Sequence, residues 1–328
     1  MSRFRTIVNI PVSRVKINYH TPCMFMGSCF ADNIGTRMAS HKFPVLLNPF
    51  GTLFNPVSIS NNMNTLMKAQ SFSLNDLHQH NGLWFSFSHY TGFAHSHQDA
   101  CLAAINRSMS LATGWLKQCD FLMLTFGTAR VFGLKETGIT VANCHKLPSG
   151  SFMPRLAEPA EIVSQFDAVL RNLKQFNPGV NVIFTVSPVR HWSDGAVNNQ
   201  LSKSILHYSI HEILKRHAGT YYFPAYEIFM DELRDYRFYA ADMLHPSEQG
   251  SQYIWERFSE TWLDDLSKKI MAGVAAVLKA VGHRPSRSES TNHKKFKQNT
   301  LKQIELLTGM YPFLDFTNEI AGLQLHSE

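Results

Sequence analysis

Two short motifs, far apart in the chain, carry groups suited to nucleophilic chemistry. Gly27-Ser28-Cys29-Phe30-Ala31 follows an apolar run, and Asp242-Met243-Leu244-His245-Pro246 stands past the two-thirds mark of the 328 residues. The first offers a hydroxyl on a Gly-Ser turn. The second sets a carboxylate and an imidazole three residues apart, close enough for the acid to fix the ring's tautomer and leave its other nitrogen to take a proton. Together they supply Ser28 as nucleophile, His245 as base and Asp242 as orienter, the parts of a serine hydrolase. Pro246 rigidifies the exit into the next helix. A strand that ends in Gly-Ser and continues as a helix puts the Ser28 N–H at a positive helix end, where a developing oxyanion is stabilised. Cys29 competes for the nucleophile's role at the same helix end. The turn favours Ser28, with Cys29 directed to the core as a small hydrophobe. Each motif also has a plainer reading, Ser28 as a helix N-cap and Asp242 as a turn acid beside a surface histidine.

The elements that must position these groups are legible as alternating patterns. Continuous apolar runs at 23–27, 121–126, 181–186 and 220–223 predict buried parallel strands. Helical patterns fall at about 31–41, 98–117, 158–175, 196–217 and 225–234, and a long one at about 247–281. This alternation predicts a doubly wound α/β sheet with right-handed crossovers. Residues 48–97, rich in Asn, Ser, His, Phe and Gly, show little period and read as a long elaboration over one end of the sheet. Within it, His80-Asn81-Gly82 reads as a turn and Trp84-Phe85-Ser86-Phe87 as a hairpin strand. Residues 1–282 are expected to form the catalytic domain, and 283–328 a basic linker and a tail that either docks back on the body or folds over a partner.

Composition bounds the remaining classes. The hydrophobic content of 44% and charged content of 17% describe a globular chain with ample core. The five cysteines include no CxxC pair, which argues against a disulfide framework and for a reducing compartment. Residues 1–16 have no apolar signal-peptide region and no run suits a membrane span, so a cytoplasmic location is expected. Arg284, Arg287, Lys294, Lys295, Lys297 and Lys302 stand against one acid, Glu289, so 284–302 carries +5 of the formal +6. The main domain is therefore about neutral, and no nucleic-acid partner is expected; the partner of the basic tail is left open.

The order of an early serine and a late Asp-x-x-His resembles that of the SGNH (GDSL-like) hydrolases, and within them the chain resembles the GSCFA family. The motif at 27–31 carries this resemblance, together with Asn48-Pro49-Phe50-Gly51-Thr52-Leu53-Phe54-Asn55-Pro56, Phe126-Gly127-Thr128-Ala129, Asn143-Cys144-His145-Lys146, Ser187-Pro188-Val189-Arg190-His191 and Arg234-Asp235-Tyr236-Arg237-Phe238-Tyr239. The resemblance spans about 20–260. It implies a flavodoxin-like three-layer α/β/α sandwich with a central parallel sheet, the SGNH hydrolase fold. It also implies hydrolysis or transfer of an ester-linked acyl group without a cofactor, by superfamily analogy an O-acetyl group on a carbohydrate. Ser28, Asp242 and His245 match the catalytic positions, and Gly51 the oxyanion glycine. The oxyanion asparagine is missing: the matching position is Ala129. Asn143 is the candidate substitute and the Thr128 hydroxyl the second. Arg190 and His191 match pocket residues.

His78, His80, His89, His95 and His97 crowd one region, and His-x-His pairs can hold zinc. The hairpin pattern around them favours no metal, with His89 and His95 lining a substrate pocket instead. Two further readings stand beside the esterase: a non-catalytic glycan- or protein-binding module, favoured by Ala129, and a metal hydrolase built on the His-rich region.

Overall fold

The computed structural model describes residues 6–283 and 291–325. The first half of the expected linker, with Arg284, Arg287 and Glu289, lies outside the described residues. In chain order the elements begin with β1 (Cys23–Gly27), α1 (Cys29–Ser40), β2 (Val45–Leu47), α2 (Pro56–Met67), β3 (His78–His80), β4 (Leu83–Phe85), α3 (Gln98–Gln118) and β5 (Phe121–Phe126). There follow β6 (Arg130–Leu134), β7 (Thr140–Val141), β8 (Phe152–Leu156), α4 (Pro159–Phe176), β9 (Asn181–Val186), α5 (Gly195–Arg216) and β10 (Thr220–Tyr222). The short α6 (Ala225–Glu227), then α7 (Glu248–Trp262), α8 (Asp265–Val281), α9 (Thr291–Met310) and α10 (Thr317–Leu325) complete the chain.

Five strands form the central sheet in the order β10-β9-β5-β1-β2, and every neighbouring pair is parallel. Counting only these strands, the order is 2-1-3-4-5, the flavodoxin-like winding. Because side chains alternate across a strand, the apolar runs feed two cores. Met24 and Met26 of β1 join Leu122 and Leu124 of β5 under α2–α5. Cys23 and Phe25 join Met123 and Ile183 under α1, α7 and α8. The expected three-layer α/β/α sandwich is thus formed.

Several elements differ from expectation. Residues 48–97 contain α2, capped by Asn55, whose side chain accepts the Ser58 N–H at 2.8 Å, and started by Pro56. Residues 130–156 form a separate antiparallel sheet, β7-β6-β8. The long helix at 247–281 is two, because Asp264 accepts the Ser267 N–H at 2.6 Å and restarts the helix. The expected turn at Asn81-Gly82 does join β3 and β4 as a hairpin. In the tail, α9 and α10 pack on α8, with Ile304, Leu314, Phe316 and Leu323 buried in the core that holds Ile270 and Val274. Lys42 of the body pairs with Glu319 at 2.7 Å.

The link from β1 to α1 is the tightest point of the sheet. Gly27 has φ +139°, and a Cβ there would stand 2.2 Å from the Thr125 carbonyl oxygen of β5. Neither the backbone angle nor the space admits a side chain. Gly27→Ala is expected to cost about 3 kcal/mol or more, the sum of backbone strain and overpacking. Urea unfolding measures it, and a loss below about 1 kcal/mol would show that β1 and β5 can part locally.

Candidate active site

The flavodoxin-like winding leaves a crevice at the carboxyl ends of β1 and β5, where the strand order reverses. The β1–α1 turn enters this crevice and is held from three sides. The Gly27 N–H donates to Asn48 Oδ1 at 2.8 Å, and the Leu53 N–H donates to the Gly27 carbonyl at 2.8 Å. Asp32 accepts from Asn48 Nδ2 at 2.7 Å and from Thr52 Oγ1 at 3.1 Å, so the loop after β2 is tied to α1.

Within this turn the two nucleophile candidates take different roles. Ser28 is the N-cap of α1: its Oγ accepts the Phe30 N–H at 3.4 Å, and the residue is 2% exposed. Cys29, the first helical residue, is half-buried rather than directed to the core, and its Sγ lies 3.7 Å from His245 Nε2. Among the described residues no hydrogen bond joins Ser28 Oγ to His245. His245 Nδ1 meets Asp242 Oδ2 at 2.6 Å, while Asp242 Oδ1 accepts the N–H groups of Leu244 and His245 at 2.9 and 3.0 Å. Those backbone donors, followed by the imidazole, hold the Asp242 carboxyl well down, at about 2. The structure thus lines up carboxylate, imidazole and thiol.

Burial pushes the Cys29 thiol up, and Asp32 adds to this. Lys203 and the N–H groups of Cys29 and Phe30 oppose it by favouring the thiolate. The balance leaves a protonated thiol, which needs a base beside it to attack. Ser28 and Cys29 both line a cleft of about 410 Å³, with Thr52, Phe54, Tyr90, Ser187, Arg190 and His191 among its other walls.

Several groups expected at the oxyanion are committed elsewhere. The Ser28 N–H donates to Thr125 O at 3.2 Å and the Gly51 N–H to Asn48 O at 2.7 Å. Asn143 lies away from the cleft, with its Oδ1 accepting the His145 N–H at 2.8 Å. Thr128 is buried, its Oγ1 3.0 Å from Ser202 Oγ and accepting the Arg130 N–H. His89 is not a cleft residue: it is fully buried among Phe50, Phe72 and Phe93, and burial, aided by His145, pushes its imidazole down to about 3. His95 pairs through its backbone with Trp84, away from the cleft. Arg190 and His191 do line the cleft, on the loop that follows β9. Among the described residues no group of three or more His, Cys, Asp or Glu side chains is placed to hold a metal, and no helix is long and apolar enough to cross a membrane.

Residues 22–258 match the GSCFA family, and residues 274–326 match the GSCFA domain protein C-terminal domain. The chain belongs to the GSCFA family. Among curated proteins, none matches. The solved structures that are similar include an acetyl xylan esterase, Est2A, from the rumen bacterium Butyrivibrio proteoclasticus, at 11% identity and TM-score 0.38 over 77% of this chain. This chain spans 64% of that enzyme's. A family 3 carbohydrate esterase from Talaromyces cellulolyticus is similar at 11% identity and TM-score 0.35, over 77% of this chain and 99% of that one. A family 3 carbohydrate esterase of Clostridium thermocellum gives 10% and 0.35, over 78% and 98%. Likeness at this level transfers no chemistry, which has to come from the residues of the GSCFA chain itself.

One residue at this site was not singled out by sequence reasoning. Lys203 of α5 is fully buried, and its Nζ donates to Gly127 O at 2.7 Å and Ser187 O at 2.6 Å. It bridges the loops that follow β5 and β9 directly behind the cleft. A signal was present: Asn199, Ser202, Lys203, Leu206 and Ile210 follow helical spacing, so the polar residues continue the apolar face of α5 instead of opposing it. Burial pushes the Lys203 ammonium down to about 7, with Cys29 opposing and Arg190 reinforcing the shift. A lysine so depressed holds its proton less readily folded than unfolded. From about pH 7 up to the unfolded value near 10.4, the unfolded chain binds the extra proton, so folding gains stability as pH rises. The stability difference between wild type and Lys203→Met should therefore increase across that window, by up to about 1.4 kcal/mol per pH unit. Urea titrations at several pH values read it, and a level difference would mean that Lys203 stays charged throughout.

Proposed function

We propose that the protein is an acyl-ester hydrolase or acyltransferase of the SGNH type, with Cys29 rather than Ser28 as its nucleophile. The observation that carries this reading is the line from Asp242 Oδ2 to His245 Nδ1 at 2.6 Å and from His245 Nε2 to Cys29 Sγ at 3.7 Å, at the floor of an open cleft. His245 takes the thiol proton as Cys29 Sγ bonds to the acyl carbon. It then gives the proton to the leaving alcohol oxygen as the C–O bond breaks, leaving a thioester on Cys29. Water or a second alcohol, deprotonated by His245, attacks the thioester; the C–S bond breaks and the thiol is restored. Asp242 holds the productive tautomer and supports the imidazolium. The Cys29 N–H at the start of α1 and the Thr52 N–H, which has no acceptor among the described residues, are our candidates for the oxyanion donors. Phe54, Tyr90 and Trp192 in the cleft suit a sugar ring, so a carbohydrate O-acyl ester, such as an O-acetyl ester, is the substrate class favoured.

The test is incubation with 4-nitrophenyl acetate and with iodoacetamide, followed by peptide mapping. Acetyl and carbamidomethyl adducts are expected on Cys29. Cys29→Ala should abolish both, and His245→Ala should slow acetylation by about 10²-fold or more. Ser28→Ala should lose about 1 kcal/mol of stability, as a missing N-cap does, and keep the adduct. An acetyl group on Ser28 would restore the serine mechanism. A second reading, a binding module that does no chemistry, is favoured by the commitment of the Gly51 and Ser28 N–H groups to other acceptors. Absence of any acetyl adduct would support it.

A further inference from the structure

Beside the nucleophile's cleft lies a second hollow of about 380 Å³ that shares Arg190, Trp192 and Leu244 with it and adds Tyr236, Tyr239 and Asp242. The two form one groove. At its junction sits a guanidinium with few partners. Arg190 Nη2 reaches only the Met230 thioether at 3.7 Å, and Nε is buried with no acceptor among the described residues. The Tyr226 and Tyr239 hydroxyls are its other polar neighbours. No carboxylate among the described residues lies within ion-pair distance of it, whereas Arg130 has Asp194 at 2.8 Å and Arg155 has Glu161 at 2.7 Å. The one acid lining the second hollow, Asp242, is taken by His245 and two backbone N–H groups. A partly buried, unpaired guanidinium is costly and offers the planar fork that fits an oxyanion.

The direction of the groove says which half of the substrate brings that anion. In acyl transfer the protonated imidazole serves the leaving alcohol, so the alcohol half lies on the His245 side. The second hollow is walled by Asp242, Met243 and Leu244 of the same turn. Trp192 and Tyr236 stand there as exposed rings, 50% and 74% accessible, on which a sugar can stack.

We propose that Arg190 binds an anionic group, a carboxylate or a phosphate, on the alcohol half of the ester, so that the substrate is an acylated anionic sugar rather than a neutral one. This rests on the acyl-transfer reading above, but it can be tested without turnover. The full chain is titrated calorimetrically with methyl galacturonide, a hexose phosphate and the neutral methyl galactoside. One of the two anions should bind about tenfold or more tighter than the neutral sugar, and which one does identifies the group. The preference should weaken as salt is raised. It should vanish in Arg190→Gln and survive in part in Arg190→Lys. A measurement on wild type alone accompanies these: the preferred anion, and not methyl galactoside, should protect Arg190 from phenylglyoxal. Equal binding of anionic and neutral sugars, no binding of any of them, a preference retained by Arg190→Gln, or modification of Arg190 that no anion slows would each overturn the inference. Failure of Cys29 to acetylate while the anion preference holds would sink the catalytic reading alone. An acetylated Cys29 without an anion preference would sink this one alone.

Discussion

The approach of β1 to β5 at Gly27 is the constraint from which the site follows. The chain must turn where a Cβ would lie 2.2 Å from the Thr125 carbonyl, so a glycine occupies the last position of β1 and the helix starts at once. The residue after it becomes the N-cap. Its N–H bonds back to Thr125 O and its Oγ is directed over the first turn of α1. The residue after that is the first helical one, and its side chain emerges on the cleft side. This one-residue spacing makes Ser28 the cap of α1 and sets Cys29 Sγ 3.7 Å from His245 Nε2.

The same crowding explains why a lysine is buried behind the site. The loops after β5 and β9 end in carbonyls, those of Gly127 and Ser187, that no neighbouring strand satisfies, and Lys203 Nζ takes both. A neutral donor could also satisfy carbonyls; a cation does more, because Lys203 favours the thiolate of Cys29 while the thiolate favours the ammonium. Removal from water raises the energy of each charge when it stands alone. The coupling therefore makes each charge more favourable when the other is present. A structural brace and an electrostatic partner of the Cys29 thiolate are one side chain here.

Much of this was legible in the sequence, and the exceptions have physical causes. Three of the four expected strand runs stand out because parallel strands covered on both faces are almost wholly apolar, as β1, β5 and β9 are, whereas the fourth, β10, has three half-buried residues. The strands β6, β7 and β8 are short or half-exposed and carry no such signal. Helix α2 was hidden by Asn and Ser residues that are in fact buried, including Ser58, Ser60 and Asn62, the last donating to Ser88 O at 2.9 Å. Its cap and start, Asn55-Pro56, were readable. The Asp242–His245 pairing followed from spacing alone, since a three-residue turn brings the two together locally. The contact of Cys29 Sγ with His245 Nε2 did not, because it turns on where the helix begins to within one residue. Lys203 escaped because a lysine on a helix is ordinarily solvated, and only its phase with Leu206 and Ile210 marks it as inward.

The two halves of the site differ in how they are held. Cys29 sits on the rigid core, whereas His245 and Asp242 are about half exposed on a surface turn. That turn is nonetheless self-supporting. The Ala240 N–H donates to His245 O at 2.7 Å, Met243 adopts φ +60° and donates to Ala240 O at 2.9 Å, and Ser247 closes back on Phe238 O at 2.7 Å. Helix α7, which leaves the turn, is fastened to the helix that carries Cys29: Arg37 of α1 meets Glu248 at 2.7 Å and Gln252 at 2.8 Å, and Asn33 meets Ser251 at 3.4 Å. Exposed contacts of this kind contribute little to stability one by one. Their value lies in register, because they fix α7 along α1 and so fix the imidazole relative to the sulfur. The distance between His245 and Cys29 is therefore set by helix-to-helix contacts outside the cleft, and its walls, Arg190 and Trp192 among them, take no part in fixing it.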